Sequence, residues 1–482
     1  MGAGKDARPN IIVIQTEQQR FDTIGCAGYG WMDTPWMDKL GRKGVMFTHA
    51  FASAATCVSS RASFYTGLYP LTTGVYAFDP WTGAQNWMHL LREAGYQCVS
   101  IGKTHMRGTD GGFHERIAEL GNKYMQLYTE NGLSRYMDWH KFLLLKGYDP
   151  PLDVHKKLPD FWDKLGAIEW PLPDECHPDF FVGDMAIRWI EHRRSERPLF
   201  LFVGFLGPHD LYDPIARYVP PYMAKELPEP VTSEEEKRTQ PPDFALHQQR
   251  YEEIDKVSSI RMSHATPERL KRMRAHYYAN ITMIDEKIGG IIEALEKKGL
   301  LENAVIVLTS DHGDNLGDHG LVYKGTMYDT VVRVPLIVWS PSRYPGGRRI
   351  EQIVQQIDIA PVLLELAGCT VPESMEAISL APLLTGEAER YERTYVFAEE
   401  GTSSLRSAPD VLTMIRDAEW KLVHFTDRPY GQLFDLQNDP YELNNLWDDP
   451  EHEPVKRRLL DDLLQWLVKT RYRNRNLYAS VR

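Results

Sequence analysis

Residues 266–314 read TPERLKRMRAHYYANITMIDEKIGGIIEALEKKGLLENAVIVLTSDHGD. Thr266 supplies an N-cap, Pro267 fits the first helical position, and Gly299 is placed to stop a helix. Between them Leu270, Tyr277, Ile281, Ile284, Ile288, Ile291 and Leu295 step by three, four or seven along one face. The spacing predicts an amphipathic helix over 266–298. It feeds AVIVL (304–308), an apolar run without polar alternation, which suits a strand covered on both faces. A helix delivering the chain to a buried strand is the α/β pattern.

The same texture extends in both directions. IIVI (11–14), CVSI (98–101), LFLFVGFL (199–206) and PLIVW (335–339) are further buried-strand candidates. After about residue 386 the pattern changes. Short candidate strands at 394–398, 411–415, 419–424 and 431–435 crowd together before an amphipathic helix at 452–470. The expectation is an α/β domain over 1–385, with a mostly parallel sheet sandwiched by helices. A C-terminal α+β subdomain over 386–482 would hold a smaller antiparallel sheet and a helix. Two stretches, 107–180 and 210–262, lack periodicity and read as lids or disordered loops.

Composition narrows the function. The 482 residues carry 55 Lys+Arg against 67 Asp+Glu, a net charge of −12, which argues against a general affinity for nucleic acid or an anionic membrane. Five cysteines (Cys26, Cys57, Cys98, Cys176, Cys369) show no paired spacing, so neither a disulfide framework nor a zinc module is suggested. No signal-peptide pattern or long apolar span is seen, so the chain as given reads as soluble and cytosolic. A trimmed leader would make it periplasmic or secreted. Oligomeric state is left open.

Ligands of open α/β sheets bind beyond the carboxyl ends of the strands. The residues just past each apolar run are therefore informative: Gln15-Thr16-Glu17-Gln18, Gly102-Lys103-Thr104-His105, Gly207-Pro208-His209-Asp210 and Ser310-Asp311-His312-Gly313-Asp314. Carboxylates, imidazoles and a lysine gather at one sheet edge, which implies a metal or anion site with acid–base groups. Cys57-Val58-Ser59-Ser60-Arg61 reads as a turn entering a short helix, whose N-terminus favours an anion. A lone cysteine is ordinarily a small buried hydrophobe, and Arg61 is what weighs against that reading here.

CVSSRASFYTGLYP (57–70) closely resembles the type I sulfatase signature C-x-P-S-R-x-x-x-x-T-G. RPNIIVIQTEQQR, TPWMDKLGRKGVMFTHAF, GKTH, GPHD, SDHGDNLGDHGL, YKGTMYD and QLFDLQNDPYELNNL keep the family's order over most of the chain. The resemblance implies an alkaline-phosphatase-like fold and a sulfuric ester hydrolase. Cys57 would be oxidised by a separate formylglycine-generating enzyme to formylglycine, whose hydrate is the nucleophile. By the same resemblance Arg61 would hold the hydrate, Lys103 would bind sulfate and His105 would take the proton that releases it. His209 would protonate the departing alcohol, assisted by Lys324, which also contacts sulfate. Glu17, Gln18, Asp311 and His312, together with the modified Cys57, would hold a divalent cation, usually calcium in this family. Manganese or magnesium is the alternative, because His312 softens the ligand set.

The chain departs from the family at Ser59, where Pro or Ala is usual in a segment the maturing enzyme reads. It departs again at Glu17-Gln18, where Asp-Asp or Asp-Gln is usual. His177 and Arg107 are further candidates for substrate contact. Asp314, Asp318 and His319 read as turn residues or as support for the cation ligands. The glycosylation sequon Asn280-Ile281-Thr282 falls inside the predicted helix of a chain that shows no leader pattern, and is not read as a modification site. The expected substrate is a carbohydrate sulfate ahead of an aryl or alkyl sulfate. The competing readings are a phosphonate monoester or phosphodiester hydrolase on the same scaffold, and a degenerate relative that binds sulfated ligands with Cys57 unmodified.

Overall fold

The fold is that of a computed structural model describing residues 8–79, 86–106, 110–119, 138–149, 158, 160–253, 259–388, 391, 393–401 and 411–475. Eight strands form one sheet: β1 (Asn10–Glu17), β2 (Val45–Phe51), β3 (Gln97–Gly102), β4 (Glu115–Ile117), β5 (Leu199–Pro208), β6 (Ala304–Ser310), β7 (Arg333–Trp339) and β8 (Arg348–Gln355). Their spatial order is β4-β3-β5-β1-β6-β7-β2-β8. The pairs β4–β3, β3–β5, β5–β1, β1–β6 and β2–β8 are parallel, whereas β7 runs antiparallel to β6 and β2.

Both sheet faces are covered, which is why the strands read as unbroken apolar runs. Ile12 and Ile14 of β1 face one layer with Leu201, Val203, Ile306 and Leu308. That layer is closed by α1 (Pro35–Lys43), α3 (Pro178–His192) and α4 (Pro267–Lys297). Ile11 and Val13 face the other layer with Phe200, Phe202, Val305 and Val307, under α2 (Cys57–Thr66) and the helix Ile359–Ala367.

α4 matches its sequence signals closely. The Thr266 hydroxyl accepts from Arg269 N at 3.2 Å, and Gly299, at φ +69°, sits where an L side chain would strain the backbone. Ile281, Ile284, Ile288, Ile291 and Leu295 are fully buried, each worth about 2 kcal/mol of transfer free energy. Asn280 of the sequon is buried too.

A second, antiparallel sheet has the order β12-β11-β10-β9 and comprises β9 (Val396–Gly401), β10 (Val411–Arg416), β11 (Trp420–Phe425) and β12 (Gly431–Asp435). One face, through Phe397, Ile415, Leu422 and Leu433, packs on α5 (Glu453–Arg473) at Leu459 and Leu463. The other face packs on the main body at Phe51, Tyr328, Val331 and Val332. Lys421, fully buried, joins the two parts. Its ammonium lies 2.5 Å from Asp329 Oδ1 and 2.5 Å from Glu442 Oε1, and it donates to the Met327 carbonyl. Among the described residues no helix is long and apolar enough to cross a membrane.

Candidate active site

Four parallel strands end at one edge, and each delivers a polar residue there: Glu17 from β1, Lys103 after β3, His209 after β5 and Asp311 after β6. Register explains the convergence, since Thr16 pairs with Ser310, Glu17 with Pro208 and Gly102 with Gly204. Gly102 and Gly204 allow β3 and β5 to close on each other. A Cβ on Gly204 would lie 2.1 Å from the Lys103 carbonyl oxygen, so only glycine permits the Lys103 N–H bond to Gly204 O at 2.8 Å.

Cys57 begins α2 and is buried. Ligand atoms of Cys57, Glu17 and His105 all lie within 4.8 Å of one another, and Lys324 Nζ is 3.8 Å from the Cys57 sulfur. Burial pushes the thiol above its ordinary range, with Lys324 acting against that shift. Ser59, the unusual signature residue, donates its hydroxyl to the Val75 carbonyl at 2.6 Å, so its polarity is absorbed inside the fold.

Arg61 ties the helix to the sheet edge. Its Nε donates to Asp311 Oδ2 at 2.8 Å, and Nη1 donates to Gln15 Oε1 and the Lys103 carbonyl at 2.8 and 3.0 Å. Nη2 lies 3.6 Å from Glu17 Oε2, which Lys103 Nζ also contacts. Burial opposes the Glu17 charge, but Lys103, His209 and Arg61 outweigh it and hold this carboxyl below its ordinary range. His105 goes the other way. Burial, reinforced by the positive charge of Lys103 and Arg61, holds its imidazole well below the usual value.

The donor set fits a divalent cation. His312 uses Nδ1 on the Gly313 carbonyl at 2.8 Å, and its buried Nε2 has no hydrogen-bond partner among the described residues. Burial holds this imidazole neutral, its pKa lowered to about 4 against the pull of Asp311, so Nε2 offers a lone pair. Glu17 Oε1 is likewise buried without a hydrogen-bond partner among the described residues. Asp311 Oδ1 accepts from the Gln18 and His312 backbone at 3.0 and 2.9 Å, which fixes its carboxylate. Gln18, at φ +66°, accepts from Lys324 at 3.0 Å and donates to Asp314 at 2.6 Å. Two carboxylates, an amide oxygen and an imidazole, all on buried residues, are donor types that suit a hard or borderline cation.

His209 points Nε2 toward Glu17 Oε1 at 3.8 Å, while Asp210 holds its Nδ1 at 3.0 Å. Asp210 itself resists protonation. Burial disfavours its charge, yet His209, the Ser259 hydroxyl bond and Lys324 bring its pKa down to about 2.

The structure thus brings Glu17, Gln18, Cys57, Arg61, Lys103, His105, His209, Asp311, His312 and Lys324 together. One expected substrate contact stands apart. His177 is fully buried, caps α3 by accepting from Asp179 N at 3.2 Å, and packs edge-on against Trp170. Its role here is to start a helix, and none of its described contacts is with the Cys57 cluster. Arg107 lies outside the described residues. Asp314, Asp318 and His319 are structural. Asp314 accepts from Tyr212 and Gln18, Asp318 pairs with Arg20, and His319 stacks on Tyr328 at 3.6 Å.

Glu400 on β9 is a supporting residue with no signal in the sequence. Its buried Oε2 accepts from Ala55 N and the Thr56 hydroxyl, both at 3.1 Å, so the second sheet braces the approach to Cys57.

Comparison with known proteins agrees with this geometry. The Sulfatase family profile matches residues 9–369, and the profile of the N-sulphoglucosamine sulphohydrolase C-terminal region matches residues 317–469. The chain is 29% identical over 478 residues to an arylsulfatase of Clostridium perfringens, covering 96% of this chain and 94% of that protein. It is 26% identical over 514 residues to an N-acetylglucosamine-6-O-sulfatase of Bacteroides thetaiotaomicron, covering 94% and 85%. The crystal structure of a phosphonate monoester hydrolase of Agrobacterium radiobacter superposes with a TM-score of 0.81 at 27% identity, covering 96% of each chain. With three quarters of its length matched by one profile and the signature cysteine seated at the sheet edge, the chain belongs to the sulfatase family of the alkaline-phosphatase-like superfamily.

Proposed function

We propose that this sulfatase hydrolyses a sulfate monoester carried on a saccharide, with residue 57 converted to formylglycine and calcium held by Glu17, Gln18, Asp311, His312 and the modified residue 57. The observation that carries the reading is the seat of Cys57, at the first turn of a buried helix with Lys324, His105 and Glu17 around its sulfur. When present, the aldehyde hydrate supplies the nucleophilic hydroxyl and the cation offsets sulfate charge.

The chain's own residues do the rest. Lys103 and Lys324 bind sulfate oxygens from two sides, and Arg61 anchors the helix start to Asp311. His105, kept neutral by burial, accepts the proton whose loss frees sulfate. His209, whose Nε2 is 3.8 Å from Glu17 Oε1, delivers a proton to the departing oxygen. Arg61, Lys103 and Lys324 make the pocket locally cationic on a chain of net charge −12. A separate formylglycine-generating enzyme is the partner that matures residue 57.

The similarity to an N-acetylglucosamine-6-O-sulfatase supports a sugar substrate. A second reading, hydrolysis of phosphonate monoesters, is favoured by the likeness to the Agrobacterium enzyme. Turnover of sulfated monosaccharides, 4-nitrophenyl sulfate, a phosphate diester and a phosphonate monoester by the matured protein separates them. Sulfated sugar is expected to give the highest kcat/KM. Dominant phosphonate hydrolysis would reject the first reading. Activity restored to chelated protein by calcium ahead of manganese or magnesium is the expected metal result.

A further inference from the structure

Behind His209 lies a chain of contacts that the roles given above do not use. Asp210 Oδ1 is 3.0 Å from His209 Nδ1, and the Asp210 carbonyl is 2.8 Å from the same nitrogen. Asp210 Oδ2 accepts the Ser259 hydroxyl at 2.7 Å. Ser259 N and Ile260 N both donate to the Tyr323 hydroxyl oxygen, at 2.9 and 3.0 Å. Tyr323 is the residue before Lys324, whose ammonium lies beside Cys57.

We propose that Asp210, held by Ser259, is a positioning residue for His209: it pins Nδ1–H and so keeps Nε2 turned toward Glu17 and the Cys57 pocket. The inference rests on the proposed role of His209 as proton donor. With Nδ1–H committed to Asp210, the ring has one nitrogen left for chemistry. As the S–O bond breaks, the departing oxygen keeps the bonding pair and takes the proton from Nε2. The neutral ring that remains carries its hydrogen on Nδ1, the tautomer Asp210 stabilises. Because Ser259 hangs on Tyr323, the orientation of His209 and the placement of Lys324 share one support.

Leaving-group dependence tests this. A 4-nitrophenoxide departs without a proton, whereas an alkoxide needs one. In Asp210→Asn, kcat for 4-nitrophenyl sulfate is expected to stay within about 5-fold of wild type, and kcat for an alkyl or sugar sulfate to fall about 100-fold with KM little changed. Ser259→Ala is expected to show the same selective loss, smaller in size, and carries the test alone if Asp210→Asn does not fold. In a His209→Ala background, Asp210→Asn is expected to cost nothing further. Equal losses on both substrates, no loss, or an undiminished loss in the His209→Ala background would overturn the assignment. If the matured wild type turns over no sulfate ester, the proposed function fails and the inference falls with it. Wild-type activity with parallel losses refutes the positioning role alone.

Discussion

Arg61 Nε and Asp311 Oδ2 lie 2.8 Å apart in the protein interior, joining the helix that starts at Cys57 to the end of β6. The Arg61 fork reaches four partners, counting Gln15, the Lys103 carbonyl and Glu17. A lysine cannot span them. Arg61→Lys is expected to lower kcat/KM at least about 100-fold and to destabilise the fold by about 3 kcal/mol, because buried carboxylates lose their partner. Steady-state kinetics beside urea unfolding reads both. A variant within about 1 kcal/mol of wild type would show that the pairing is dispensable.

Lys324 is buried between Gln18 Oε1 and the Cys57 sulfur. Lys324→Ala removes a fixed positive charge where sulfate is proposed to bind. The expected loss is about 100- to 1000-fold in kcat/KM, the scale of removing one preorganised charge-stabilising group. A loss confined to thermal stability, with normal kinetics, would place Lys324 outside the chemistry.

At the junction of the two sheets, Lys421→Met would strand Asp329 and Glu442 without their shared cation. The expected cost is about 3–5 kcal/mol in chemical denaturation. The double variant that also replaces Glu442 with Gln should recover part of it, since less negative charge is left buried. A single-variant cost below about 1 kcal/mol would contradict the clamp.

Burial raises the Glu399 carboxyl to about 8, against the bond it accepts from Leu71 N. Above pH 4.5 the unfolded chain releases this proton while the folded chain keeps it, so this group lowers stability as pH rises toward 8. Glu399→Gln should remove that slope, up to about 1.4 kcal/mol per pH unit. Unfolding free energies of both proteins at pH 5, 6, 7 and 8 check it. Parallel profiles would contradict it.

Much of the fold is legible in the sequence, for identifiable reasons. α4 carries a cap, a first-turn proline, an apolar stripe and a stop glycine, and its observed ends differ from 266–298 by one residue each. β1, β3, β5 and β6 are visible because both their faces are covered. β8 escapes the search for apolar runs, because RRIEQIVQ mixes charge with apolar residues at a sheet edge. The reversed direction of β7 has no local signature at all.

The site divides in the same way. Residues directly after buried strands announce themselves by contrast with the apolar runs before them. Glu400 does not, because its partner Thr56 is 344 residues away and β9 reads as an ordinary short strand. His177 misleads through its setting of Pro, Trp and acidic residues, which resembles a binding loop. That same setting is an N-cap and first-turn proline.

Residue 57 working as formylglycine is the claim on which the rest depends. Its most direct test is the mass of the peptide containing residue 57, taken from active protein produced beside the maturing enzyme. The expected mass is about 18 Da below that of the cysteine peptide, as thiol CH2SH becomes aldehyde CHO. A preparation that turns over sulfate esters while this peptide carries only unmodified cysteine would contradict the account.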